Sequence, residues 1–230
     1  IDTNSIDYQY DYRMYAGYDE TLQKNIDNFD FSDKKLCLNI AQLYSALINN
    51  GYPSNRAMVL TEETVLYNTD ALKSATDISS NYESIATAAI RNYVADYSTY
   101  IADNDAYGYC QGHRFTGDFD CSSLVAAAYE KAGVRLRNID ENHNPGTSWY
   151  QPSSMKEYGF TTVSFENGKA AEELLPGDIF VQNYDKPGDW PAHAQIAIND
   201  SEAVSANVSE DDLADDGDSN AHVQAVREMA

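Results

Sequence analysis

Cys121 stands at the start of a segment with the pattern of an amphipathic helix. Residues 119–133 read FDCSSLVAAAYEKAG, in which apolar residues recur at helical spacing before Gly133, a typical helix stop. Asp120 occupies the expected N-cap position. Unpaired backbone N–H groups and the positive end of the helix dipole stabilise an anionic sulfur and can donate to an oxyanion. The segment therefore predicts a nucleophilic thiolate together with part of its electrostatic support.

A thiolate mechanism needs a base, and His193 is the best candidate. It opens HAQIAI at residues 193–198, whose alternation is that of a half-buried strand. The preceding segment, DIFVQN at 178–183, is a second predicted strand and follows the turn LLPGD at 174–178. The sequence thus predicts a helix that carries the cysteine and, after a long excursion, two neighbouring strands. The second of these strands begins with the histidine.

Three segments, DCSSLV, LLPGDIF and HAQIAI, resemble in order and spacing the NlpC/P60 family of cell-wall cysteine peptidases. The stretch YGYCQGHRFTGDFDCSSLV at 107–125 resembles the versions in phage-type wall lysins, in which a Gly-Tyr-x-Gln-x-x-Arg segment leads into Asp-Cys-Ser. The resemblance covers roughly residues 81–210. It implies an α+β, papain-like fold in which the cysteine-bearing helix packs on an antiparallel sheet that carries the histidine.

The resemblance also implies a role for each matching position. Cys121 is expected to be the nucleophile, and His193 the base and later the acid that protonates the leaving amine. Tyr109, together with Asp120 and Ser122 on either side of the nucleophile, is expected to contact the substrate. The implied mechanism uses no metal and no cofactor.

A third polar residue usually orients the imidazole in this family. It falls on the strand after the histidine strand, here EAVSANV at 202–208. Spacing gives Ser205, at the position where many relatives have a second histidine. Asn207 lies two residues further on, and so on the same face of the strand. Because serine orients an imidazole less well than asparagine, both residues remain candidates.

Two metal sites compete with this interpretation. Cys110, His113 and Cys121 form a Cys-x2-His-x7-Cys cluster, but structural zinc sites usually bring two close pairs and this cluster has one. The acidic run at 209–220 overlaps an EF-hand-like pattern, yet Ala214 stands where a ligand is required. The sequence therefore argues against both metal sites. It indicates that the acidic run is a solvated loop.

The sequence carries a large acidic excess. Its 230 residues include 15 basic and 37 acidic side chains, which leaves a formal net charge of −22. This charge argues against nucleic acid or anionic membranes as partners, and no apolar run approaches the length of a membrane span. Gram-positive walls carry anionic polymers, so long-range attraction cannot bring the protein to them. Binding must then come from short-range contacts, or from a delivery domain or particle outside this chain.

The start of the chain and its cysteines bear on localisation. The first residue is Ile1 and not Met, so we expect that a leader or another domain has been removed. The protein is predicted to be secreted, or associated with the cell wall or a virion. Three cysteines are too few for a disulfide framework. Cys37 and Cys110 are able to pair, although two unpaired thiols are favoured.

The N-terminal part of the sequence reads as helical after a tyrosine-rich lead at residues 8–18. Three helices are predicted: residues 33–50 with Ser32 as N-cap, residues 62–74, and a long helix that follows a capping box of Ser80 and Glu83.

The long helix leads directly into the Tyr109 segment, which places it in the catalytic domain. The domain boundary is therefore predicted near residues 76–80. This gives a helical N-terminal region of unknown role at 1–78 and an NlpC/P60-like catalytic domain at 79–230.

The predicted function is hydrolysis of an amide bond in the peptidoglycan stem peptide. An endopeptidase that cuts after D-glutamate is preferred, because the resemblance leans that way. An N-acetylmuramoyl-L-alanine amidase is the alternative within the same chemistry. A hypothesis from another class is a wall-binding or structural module that keeps the fold without turnover.

Overall fold

The computed structural model describes residues 20, 23–25, 27–104, 106–112, 114, 118–134, 136, 146, 150, 155–163, 165–166, 169–170, 172–182, 193–207 and 223–227. The tyrosine-rich lead, His113 and the acidic run at 209–220 lie outside the described residues. The chain divides into two compact units, one within residues 17–93 and the other within 94–230. The division falls inside a single long helix. The sequence-based boundary at 78 and 79 lies at the start of that helix and stays a prediction.

The first unit is built from helices. They include α1 (Lys34–Asn49), α2 (Ser54–Tyr67), α3 (Thr69–Ser74) and the first part of α4 (Ile78–Ala102). The buried apolar side chains of these helices form one core cluster, made of Leu36, Leu43, Leu47, Ala57, Leu60, Leu72, Ile78 and Ile85. The predicted helical character of this region is therefore confirmed.

The first helix begins at a different cap from the one predicted. Asp33, and not Ser32, is the N-cap of α1, and its carboxylate accepts the N–H groups of Lys35 at 2.9 Å and Leu36 at 3.0 Å. A carboxylate satisfies two of the unpaired N–H groups at once and also interacts favourably with the helix dipole. The helix is followed by Gly51 with φ of +92°.

The helix predicted at 62–74 is wrong in both its start and its continuity. Helix α2 begins at Ser54, directly after Pro53, whose φ of −57° suits the approach to a helix start. Helix α2 then ends at Tyr67, and Asn68, with φ of −147°, separates it from α3. The Asn68 side chain holds this break by donating to the carbonyl of Ile85 at 3.0 Å.

The long helix also begins earlier than the predicted capping box of Ser80 and Glu83. Helix α4 starts at Ile78, so Ser80 already lies in its first turn. The Asp77 carboxylate accepts the N–H of Ser80 at 3.1 Å and its hydroxyl at 2.7 Å. An aspartate therefore accepts hydrogen bonds at this helix start, where a serine was expected to be the cap, and the same is true of α1.

The second unit combines one buried helix with short strands. A four-stranded antiparallel sheet contains, in spatial and chain order, β5 (Ile179–Gln182), β6 (His193–Ala197), β7 (Glu202–Ala206) and β8 (Val223–Arg227). Helix α5 spans Cys121–Lys131, and a short 3₁₀ helix spans Lys156–Tyr158. Two further strand pairs are β1 (Gly108–Tyr109) with β2 (Asp118–Phe119) in parallel, and β3 (Phe165–Glu166) with β4 (Lys169–Ala170) in antiparallel orientation.

Helix α5 packs against strands β6 and β7 of the antiparallel sheet. Residues 121–129 are all buried, so the helix is covered on every side. It ends at Lys131 and is followed by Gly133, whose φ is +81° and whose N–H donates to the carbonyl of Glu130 at 2.9 Å. The Tyr129 hydroxyl donates to the carbonyl of Gly177, in the turn before β5. The predicted α+β architecture, with the cysteine-bearing helix on an antiparallel sheet, is confirmed.

Among the helices that the structure describes, none has both the length and the apolar character needed to cross a bilayer.

Candidate active site

The start of α5 is fixed by a reciprocal cap around Asp120. Its carboxylate Oδ1 accepts the N–H of Ser123 at 2.7 Å and the hydroxyl of Ser122 at 3.0 Å. In return, the Ser123 hydroxyl accepts the N–H of Asp120 at 2.8 Å. This capping box satisfies unpaired groups on both sides of Cys121, the first residue of the helix. The predicted N-cap at Asp120 is thereby confirmed.

Arg114 forms an ion pair with the other carboxylate oxygen, Oδ2 of Asp120. Asp120 is almost fully buried, whereas the Arg114 side chain is about one-quarter exposed. Sequence reasoning assigned no role to Arg114, although it ends the Gly-Tyr-x-Gln-x-x-Arg pattern. The residue reaches Asp120 through the loop between β1 and β2, and such a long-range contact is not encoded in local spacing.

Tyr109 lies at the end of β1, and the charge of Cys121 affects the pKa of its phenol. Burial is the main reason why the pKa of its phenol is raised above the ordinary value of 10.0. A hydrogen bond from Gln111 at 3.2 Å lowers the pKa, the charges of Cys121 and Asp120 raise it, and Arg114 lowers it. The phenol therefore stays protonated at neutral pH. Its role in substrate binding stays a prediction.

His193 is the first residue of β6 and is half-buried. Its Nε2 atom is buried and has no hydrogen-bond partner among the residues that the structure describes. Burial lowers the pKa of the imidazole below its ordinary value of 6.5, because it disfavours the charged form. The ring is therefore neutral at neutral pH, which is the form that can accept a proton from a thiol.

The two candidates for the third position are hydrogen-bonded to each other. The Asn207 side-chain amide donates to the Ser205 hydroxyl oxygen at 2.7 Å. Ser205 is fully buried at 0% exposure, and Asn207 is half-buried. The register of β6 and β7 pairs Ala197 with Ala203, and alternation along each strand then places His193 and Ser205 on the same face of the sheet as these two residues. Residues that oppose each other in an antiparallel pair share a face of the sheet.

Residues 105–227, more than half of the chain, match the NlpC/P60 family. The chain belongs to the NlpC/P60 family. This confirms the resemblance drawn from the sequence, and members of the family are generally cysteine peptidases or hydrolases of the cell wall. A comparison with curated proteins finds no match.

The NlpC/P60 match includes every predicted site residue. Within it, the helix that begins at Cys121 packs on the strand that begins at His193, and the next strand carries Ser205. The catalytic and substrate-binding roles of these residues stay predictions. The side chains of Asp120 and Ser122 bond to each other and thereby contribute to the helix cap.

Tyr150 is a second contact of the NlpC/P60 site that sequence reasoning missed. This buried tyrosine donates its hydroxyl proton to the backbone carbonyl of Ser122 at 2.6 Å. The contact holds the first turn of α5 from outside the helix. The sequence around Tyr150 shows no helix or strand periodicity, so no local pattern predicts it.

The cysteines of the chain, all three of which lie in the described part, form no disulfide. Cys37 donates to the carbonyl of Phe31 at 3.3 Å, and Cys110 is buried. The zinc alternative included His113, which lies outside the described residues. Cys110 and Cys121 are therefore thiols with different surroundings: Cys110 directly follows β1, and Cys121 begins a capped helix.

Proposed function

We propose that this NlpC/P60 chain is a cysteine hydrolase that cleaves an amide bond of the peptidoglycan stem peptide. The arrangement of Cys121 and His193 carries the proposal: the cysteine begins a capped helix, and that helix packs on the strand that begins with the histidine. Family membership supports the substrate class, since the family acts on cell walls.

The chemistry follows from the two side chains. The neutral imidazole of His193 takes the proton of the Cys121 thiol, and the resulting thiolate attacks the scissile carbonyl carbon. Backbone N–H groups at the start of α5 stabilise the sulfur anion and can donate to the oxyanion that develops. The protonated imidazole then gives its proton to the leaving amine. Water hydrolyses the thioester and returns the enzyme to its starting form.

Ser205 and Asn207 serve this mechanism together. While its amide donates to Ser205, the carbonyl oxygen of Asn207 remains available to accept from an imidazole N–H. Such a hydrogen bond would select one tautomer of His193 and fix the angle of its ring. Ser205 would act by holding the amide in place. The pair thus compensates for the histidine that many relatives have at this position.

The bond cleaved is proposed to be the one after D-glutamate, which makes the protein an endopeptidase. An N-acetylmuramoyl-L-alanine amidase would use the same Cys121 chemistry on a different carbonyl. The masses of the fragments released from walls of known peptide composition distinguish the two. An endopeptidase leaves part of the stem on the muramic acid, whereas an amidase releases the whole stem.

A non-catalytic wall-binding module is the second candidate function. The serine at the third position and the net charge of −22 favour it, because both are unusual for an active wall enzyme. New amino groups released from purified walls separate the two functions. Release by the wild type and by Cys110→Ser, but not by Cys121→Ala, supports the hydrolase. Equal wall binding by all three proteins, with no release by any of them, supports the module.

The localisation that fits this function is outside the cytoplasm, either secreted or associated with the wall or a virion. Delivery by a domain or particle outside this chain is proposed together with it, because the acidic surface gives no long-range attraction to anionic wall polymers.

A further inference from the structure

Arg114 takes no part in the mechanism above, yet it contacts the residue that precedes the nucleophile. We propose that Arg114 is a positioning residue that compensates the negative charge of Asp120 beside Cys121 and thereby supports the thiolate. The proposal rests on the cysteine mechanism proposed for this chain.

The first argument is the burial of the Asp120 carboxylate. Asp120 is 2% exposed, so water cannot solvate its charge. The two groups on its Oδ1, the N–H of Ser123 and the hydroxyl of Ser122, are neutral donors. Arg114 meets Oδ2 with a full positive charge. A buried carboxylate left without such a partner is strongly destabilised.

The second argument concerns the neighbouring sulfur. Asp120 directly precedes Cys121, so an uncompensated carboxylate would oppose the formation of a second negative charge on the thiol. The cap geometry requires Asp120 to stay close, because its side chain bonds the N–H of Ser123 in the first turn of α5. Arg114 resolves this conflict, since the Arg114–Asp120 pair is neutral as a whole. The helix keeps its cap without a net negative charge beside the thiolate.

The third argument is that the loop holding Arg114 is anchored on both sides. Arg114 forms a backbone bridge with Asp118, and the Asp118 side chain accepts the N–H of Gly108 at 3.1 Å. The N–H of Cys110 donates to the carbonyl of Phe119 at 3.0 Å. These bonds join the strands before and after the loop. The guanidinium is therefore presented to Asp120 by a residue whose own backbone pairs with Asp118, the first residue of β2.

The contact also indicates which property of Arg114 matters. One terminal nitrogen of the guanidinium meets Asp120, while its Nε is buried and has no hydrogen-bond partner among the described residues. The guanidinium thus meets Asp120 through one nitrogen, without the two-pronged geometry that only arginine provides. Lysine at position 114 should therefore retain much of the effect, and glutamine should lose it.

The test is the pH dependence of alkylation of Cys121 by iodoacetamide, followed peptide by peptide by mass spectrometry in the full chain. Relative to the wild type, Arg114→Gln should raise the pH midpoint of alkylation by about one unit, and Arg114→Lys should stay closer to the wild type. Asp120→Asn keeps a cap-forming side chain and removes its charge. The double variant Arg114→Gln/Asp120→Asn should therefore return towards the wild-type midpoint.

A folded Arg114→Gln protein with the wild-type midpoint would overturn the proposal. If that variant does not fold, the double variant decides: a midpoint raised as far as one unit would contradict charge compensation, and a midpoint near the wild type would support it. Loss of wall cleavage in Arg114→Gln without a shift in alkylation would assign Arg114 to substrate contact and also overturn the proposal. Alkylation needs no wall substrate. If the variants show these shifts in alkylation while the wild type releases no wall fragments, the result would count against the hydrolase alone.

Discussion

The side chains of Asn207 and Ser205 are joined by a 2.7 Å hydrogen bond, with Ser205 in β7, the strand next to the one that begins at His193, and Asn207 directly after β7. Sequence spacing favoured Ser205 as the orienting residue, and side-chain chemistry favoured Asn207. The bond between them makes the choice unnecessary, because each side chain constrains the other. Loss of either should disturb the same imidazole.

Replacing Ser205 or Asn207 by alanine should therefore lower kcat by roughly 10- to 100-fold with a smaller change in KM, because a misplaced base slows the chemical step. The double variant should be little worse than either single variant. Its coupling energy in a double-mutant cycle is expected to be about 1 kcal/mol or more. Far-UV circular dichroism is the control for folding. Full activity in both single variants would mean that the orienting group lies elsewhere, or that Cys121 and His193 suffice.

Burial of His193 should set the acid limit of the proposed reaction. The pKa of its imidazole is lowered from 6.5, so the ring remains neutral as the pH falls below that value. In a Cys121→Ala protein, which removes coupling to the thiol, ¹³C-labelled histidine should titrate below pH 6.5. His193→Gln assigns the resonance. A midpoint at or above 6.5 would show that the ring is solvated or paired with a negative charge.

Cys121 should be the most reactive thiol of the chain. Its place at a capped helix start favours the thiolate, so its alkylation should occur well below the usual thiol pKa of about 8.5 and faster than that of Cys37 or Cys110. Peptide-resolved mass spectrometry measures all three cysteines in one sample. Cys110 is the matched comparison, since it is also buried but follows a strand and does not begin a helix. Equal and slow reaction of the three below neutral pH would remove the thiolate argument.

Glu63 should make the stability of the protein depend on pH. It lies in α2, its Oε2 is buried without a hydrogen-bond partner among the described residues, and burial raises its pKa from 4.5 to about 7. Arg56 opposes this shift and Glu62 adds to it. Between these two pH values the folded state keeps a proton that the unfolded state has lost, so the stabilisation present below pH 4.5 is lost as the pH rises through about 7.

Urea unfolding of the full chain at pH 5 and pH 8 measures this effect. The wild type should lose up to about 3 kcal/mol more than Glu63→Gln between the two pH values. Glu83→Gln is the matched control, because it removes an exposed carboxylate from another helix, α4. An identical pH dependence in the wild type and Glu63→Gln would show that Glu63 is ionised in the folded state.

Local sequence patterns were sufficient to predict the helix and strands that contain the candidate site residues. The cap at Asp120 and the stop at Gly133 delimit α5, and alternation located β6 and β7 to within two residues at their ends. These signals are local because helix caps and strand alternation depend on neighbours in the chain. The family resemblance drew on the same segments.

The contacts that support the site could not be predicted in the same way. Arg114 reaches Asp120 through a loop, and Tyr150 reaches the carbonyl of Ser122 across 28 positions in the chain. Such pairs depend on the tertiary fold and leave no periodicity in the sequence. The break at Asn68 was missed for the same reason, because its side chain bonds the distant carbonyl of Ile85.

The most direct test of the central claim is hydrolysis of purified peptidoglycan in ¹⁸O-labelled water, with the released fragments analysed by mass spectrometry. A cysteine hydrolase forms a thioester that water opens, so each cut should yield one new amine and one new carboxyl group that carries a single ¹⁸O. The wild type and Cys110→Ser should give these fragments, and Cys121→Ala should give none. Labelled fragments released equally by Cys121→Ala, or no fragments from the wild type, would contradict the account.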